Sequence, residues 1–141
     1  MSRTQSIIDT LIGLMQANPR FNSIRRYVTS GKDTSATDFP ICTVIADEDI
    51  VNRIGSQQNR HELKLEVSFV FLDWDLNGNR HSYEIADALE DLLETNHTLD
   101  MTSGTSVSAY LTRKRYELDV EDETQVIDGV MCELEITYYS A

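Results

Sequence analysis

Cysteine, proline and tryptophan are scarce in this chain: 141 residues hold two cysteines, two prolines and a single tryptophan. Cys42 and Cys132 each sit inside an apolar, alternating segment, with no second cysteine or histidine at metal-ligand spacing. That pattern describes two buried free thiols, the alternatives being a disulfide or a reactive thiol. No apolar run approaches the roughly 18 residues of a membrane span, and the start has neither the basic stretch nor the apolar core of a signal peptide. A cytoplasmic product with no membrane association is expected. Positive charge is also in short supply, with 12 lysines and arginines against 24 aspartates and glutamates, a formal net charge of −12. A protein that grips nucleic acid phosphates depends on the opposite balance.

Recognisable catalytic chemistry is missing too. There is no G-x-S-x-G, P-loop, G-x-G-x-x-G or H-E-x-x-H, and the three histidines, His61, His81 and His97, are isolated in sequence. A non-enzyme is expected, with no catalytic, cofactor-binding or metal residues to assign. Trp74 reads as a partly buried anchor at a strand end.

What the chain does have is patterning. At 40% hydrophobic and 26% charged, it has the composition of one compact domain, residues 1–141. Ile8, Leu11, Ile12 and Met15 repeat at helical spacing behind a Ser2–Gln5 capping box, and Asn18-Pro19 stops that helix. Short strands are expected over Ile24–Thr29 and from Pro40 through Ile41–Ala46, the second nearly all apolar and therefore covered on both faces. The cleanest alternation runs from His61 to Leu72, with Leu63, Leu65, Val67, Phe69 and Phe71 on one side. A helix follows over Arg80–Thr95, with Ile85, Ala86, Leu89, Leu92 and Leu93 on its stripe and Asn77 or Asn79 as its cap. Two more alternating strands cover Val107–Val120, where Tyr110, Tyr116, Leu118 and Val120 share a face, and Ile127–Tyr139, joined by the acidic segment Glu121–Asp128. The loops 30–39 and 47–60 are polar, and the second is expected to project as a flexible arm.

The order α-β-β-β-α-β-β predicts an α+β fold, a mostly antiparallel sheet of about five strands with two helices on one face. Two helices leave the other face bare. Val70, Leu72, Met131 and Tyr139 fall on that bare parity and mark a partner surface, and long edge strands invite pairing between subunits.

One stretch imitates a known site. "DWDLNGNRHSYE", residues 73–84, fits the calcium-loop template D-x-[DN]-x-[DN]-G-x5-E, with Asp73, Asp75, Asn77, Gly78 and Glu84 at the specified positions. An EF-hand needs a helix on each side, and here a strand enters. The usually apolar eighth position is Arg80, and no second loop exists to pair with it. The residues are those of a strand-to-helix turn, where Asp and Asn bond their own backbone and Gly78 supplies positive φ.

With these segments placed, "SIIDTLIGLMQANP", "FPICTVIADED", "HELKLEVSFVFL", "YEIADALEDLLE" and "GVMCELEITYYS" together resemble the tail terminator and tail completion proteins of long-tailed bacteriophages. The resemblance covers most of the chain and is one of apolar patterning. It implies a structural virion protein at the neck of the tail, with no catalytic residues and no cofactor. It also implies a homo-oligomeric ring, typically a hexamer, seated on the tail tube protein. Such a ring ends tube polymerisation and offers a surface to the head-tail connector, while DNA passes through it without specific binding. The alternatives are a head-side neck or connector subunit, and a calcium- or ligand-binding module built on the 73–84 loop.

Overall fold

The computed structural model describes residues 2–29, 39–73, 79–99, 107–120 and 125–140. The chain runs α1 (Arg3–Ala17), a 3-10 turn (Pro19–Phe21), β1 (Arg26–Val28), β2 (Ile41–Arg53), β3 (Asn59–Asp73), α2 (Arg80–Thr95), β4 (Val107–Val120) and β5 (Val126–Ser140). This is the expected α+β order with one 3-10 turn inserted. The five strands form one sheet in the order β1-β2-β3-β5-β4, antiparallel except for the β1–β2 pair.

α1 begins where Ser2 accepts the amide of Gln5 at 3.0 Å; the glutamine side chain turns forward to Asp9 at 2.8 Å instead of closing the box. Asn18 ends it and caps the 3-10 turn, accepting the Arg20 amide at 3.0 Å. Ile7, Ile8, Leu11 and Met15 of α1 meet the stripe of α2 and the inward residues of β2, β3 and β5 in one apolar cluster. Leu65, Val67 and Phe69 of β3 and Leu134 and Ile136 of β5 form its floor, each essentially inaccessible. Both helices lie on this covered face of the sheet.

Three expectations need correction. The 47–60 segment is a β-hairpin: β2 and β3 stay paired as far as Arg53 and Asn59, and Ile54 closes the tip by donating its N–H to the Gln58 carbonyl at 3.1 Å. Its polarity reflects the place of β2 at the sheet's rim: beyond Thr43 no strand lies on its outer side among the described residues, and residues 47–58 are exposed although Leu63 of the paired β3 is buried. For the same reason β2 is buried only at its start, at Ile41, Cys42 and Val44, and Ile45 and Ala46 are exposed.

The third correction concerns β4. A bulge between Leu111 and Arg113 shifts the register, so Tyr110 pairs with Glu135 on the open face whereas Tyr116, Leu118 and Val120 pair with Val130, Asp128 and Val126 on the covered face. Period-two counting runs through a bulge as though it were absent, and so it grouped the four together. A second bulge interrupts β2 between Ala46 and Glu48. The 30–38 part of the first loop, Trp74, Asp75, Asn77, Gly78 and Glu121–Glu123 lie outside the described residues.

Candidate assembly surfaces

The start of α2 is held from the sheet. Asp128 of β5 is fully buried and receives three donors: the Asn79 side-chain amide at 3.1 Å, the His81 N–H at 3.1 Å and the Ser82 hydroxyl at 2.5 Å. An acceptor carboxylate therefore sits at the positive end of α2. Asn79 precedes the helix but does not cap it with its own side chain; its amide reaches Asp128 and the Glu117 carbonyl, 2.7 Å away. The sequence reading took Asp128 for part of an acidic connection. Only its inward parity next to Val126 and Val130 marked it as different.

The ends of the calcium-like motif have other partners. Asp73 faces His81 Nε2 at 3.2 Å, and His81 stacks on Phe71 with ring centroids 5.2 Å apart. Glu84 is exposed and lies 3.8 Å from Arg80 one helical turn back. Among the described residues, no group of three or more histidine, cysteine, aspartate or glutamate side chains is arranged to hold a metal ion.

The three histidines stay apart. His97 contributes its carbonyl to the Ala109 N–H at 2.7 Å. His61 lies two residues from the tip-side end of the β2–β3 ladder, with Nδ1 3.1 Å from Asp49, Nε2 2.7 Å from the Ser140 hydroxyl, and its ring stacked on Tyr138 at 4.3 Å. The Tyr138 hydroxyl completes the cluster by donating to Asp49 at 3.3 Å. Asp–His–Ser contacts in this order have the connectivity of a nucleophilic triad. Ser140 is only 7% exposed. The cluster ties β2, β3 and β5 together close to the tip of the hairpin. Three strands contribute to it, which is why sequence spacing gave no sign of it.

The open face is not one apolar patch. Val70 and Met131 line a hollow of about 200 Å³ near one end, where Gly129 has no side chain to fill the surface, and Leu72 and Ile127 form a neighbouring rung of the ladder. Tyr139 stands at the other end beside Arg60. Between them runs a charged band that includes Lys64, Glu66, Glu133 and Glu135, lining a groove of about 220 Å³. Arg113 approaches Glu133 in this band at 3.8 Å. Lys114 points to the covered face instead, bonded to Asp87 at 3.0 Å and Glu90 at 2.9 Å of α2. Burial alone would lower its pKa, but these two carboxylates outweigh it and hold the ammonium well above the usual lysine range.

Apolar side chains also stand out along the sheet's rims. Ile50, Val51 and Ile54 are exposed on the hairpin, and Tyr110, Leu118 and Val120 on β4. Among the described residues, no helix is long and apolar enough to cross a membrane.

No protein-family model matches this chain, and no curated protein matches it. Among solved structures, a chain from the "Virion of native gene transfer agent (GTA) particle" shares its fold, with a TM-score of 0.55 and 13% sequence identity over 90% of this chain and 91% of that one. At that identity the likeness is one of architecture.

Proposed function

We propose that this chain is a structural virion subunit, one domain spanning 1–141, that closes as a ring on the head-proximal end of a phage tail tube. The ring is hexameric, as in the tail terminators the sequence resembles. It stops tube growth and presents a docking surface to the head-tail connector. The observation that carries the reading is the fold shared, along nearly the whole length of both chains, with a component of a virion particle. The free sheet rims and their exposed apolar side chains support assembly with other chains. The net charge of −12 suits a channel through which DNA passes without being gripped. The proposed role needs no catalytic group.

The test is assembly with and without this chain, followed by imaging of the particle. Tubes of uncontrolled length in its absence, and a ring of this chain at the tube's head end in the complete particle, are the expected results. Normal tubes with heads that fail to join them would make it a head-side neck subunit. A single monomeric copy in the finished virion would refute the ring.

A further inference from the structure

The sheet ends in two long rims whose bulges carry charge clusters of opposite sign, the basic cluster of β4 being followed by Glu117 and Asp119. At one end β1 pairs with β2 only at Ile41–Thr43, leaving Val44–Arg53 with no strand on its outer side among the described residues. At the other end β4 is the last strand, and the N–H of Ala109 is already taken by the His97 carbonyl, so its open rim starts near Tyr110. Long open rims are hazards that proteins guard with charges and bulges. Here both rims carry a bulge and a charge cluster, and the clusters are Asp47-Glu48-Asp49 on β2 and Arg113-Lys114-Arg115 on β4. Asp49 and Lys114 are engaged on the covered face with His61 and α2. Glu48, Arg113 and Arg115 occupy the open face, opposite Lys64, Glu133 and Met131 respectively.

We infer that subunits join head to tail through an intersubunit β-pairing, in which β4 of one copy lies antiparallel against the outer rim of β2 of the next, with Glu48 facing Arg113 or Arg115. The inference rests on the ring reading above. Strand direction supports it: β2, β3, β5 and β4 alternate, so β4 runs opposite to β2. Rotating a copy about an axis along the strands therefore brings the two rims together in the antiparallel sense. A two-fold pairing of β4 with β4 centred on the bulge would set arginine against arginine, and one of β2 with β2 centred on Glu48 acid against acid, whereas a β4 pair centred on Tyr116 would set Arg113 and Arg115 against Asp119 and Glu117 and is the alternative that the mixtures below must exclude. Head-to-tail contact is also the kind that closes rings. Pleat alternation requires open-face residues to meet open-face residues, which leaves the two arginines as the partners of Glu48. When Arg113 is that partner, stepping back through the bulge sets Tyr110 opposite Ile50, both exposed on the open face.

Disulfide trapping tests the joint. Glu48→Cys is mixed with Arg113→Cys or with Arg115→Cys and oxidised; these positions are exposed, and the native thiols are buried. Cross-linked dimers in at least one mixture, and in no variant alone, are expected. Cross-links in a single variant alone would indicate a two-fold joint and overturn the inference. So would their absence from both mixtures. If light scattering still shows wild-type assembly in that case, the ring stands and another surface closes it. As a second measurement, Glu48→Arg should raise the midpoint concentration for assembly by about tenfold or more, and Arg113→Glu or Arg115→Glu should reverse much of that loss. Unchanged assembly by Glu48→Arg would count equally against the joint.

Discussion

Replacing Asp128 with alanine should be among the most damaging single changes in this protein. Its carboxylate takes the Asn79 amide, the His81 N–H and the Ser82 hydroxyl, and both Asp128 and Ser82 are fully buried. Hydrogen bonds to a charged acceptor contribute about 1.5–3 kcal/mol each, and a stranded buried donor costs about 1–3 kcal/mol. Asn79 keeps its bond to the Glu117 carbonyl, so the stranded donors are the Ser82 hydroxyl and the His81 N–H. Loss of the anion at the start of α2 adds up to about 1 kcal/mol. Relief of the desolvation cost of a buried carboxylate offsets part of this. The balance is a destabilisation of about 3 kcal/mol, or about 10 °C in melting temperature for a chain of this size. Asp128→Asn, which keeps one acceptor oxygen, should cost about half as much. Glu84→Gln removes an exposed acid from the same helix start and should cost less than about 0.5 kcal/mol. Urea titration followed by circular dichroism measures all three. A loss below about 1 kcal/mol for Asp128→Ala, or equal losses for Asp128→Ala and Glu84→Gln, would refute the assignment of Asp128 as the cap of α2.

Deleting Thr112 removes the extra residue of the β4 bulge and leaves Leu111, Arg113 and Lys114 in regular alternation on the faces they already occupy, so a loss below about 2 kcal/mol is expected in the same titration; a loss above about 3 kcal/mol would contradict the register. Lys114→Met breaks the ion pairs to Asp87 and Glu90 and should cost about 1 kcal/mol, less at high salt. Burial pushes the Cys132 thiol up to about 12 and Cys42 higher still, so a maleimide at pH 8 should label neither until urea unfolds the chain. Because the folded-state values are raised, that contribution to stability is fully present below the ordinary thiol pKa of about 8.5 and falls as pH rises towards 12, which alkaline melting curves will show. Millimolar calcium or a chelator should leave the melting temperature within about 1 °C, and a larger shift would restore the calcium reading of residues 73–84.

The sequence by itself determined the order of the elements and the inward faces of α1, α2, β3 and β5. Leu63 to Phe71 and Val130 to Tyr138 alternate without interruption, and the α2 stripe repeats at helical spacing, because each element must bury one side and backbone geometry sets the period. The α+β class follows from the order of those elements. What only the tertiary structure decided depends on neighbours remote in sequence. The 47–60 segment is a ladder because β3 pairs with it, although its composition is that of a loop. The faces of Tyr110 and Tyr116 diverge because a bulge absorbs one residue, and a bulge leaves no mark on composition. Asp128 caps α2 because β5 carries it beneath the helix start, about 46 residues along the chain from Ser82. Asp49, His61 and Ser140 meet because three strands lie side by side. Local periodicity records which side of an element is buried; strand pairing and register, set by contacts across the whole chain, decide what each side meets.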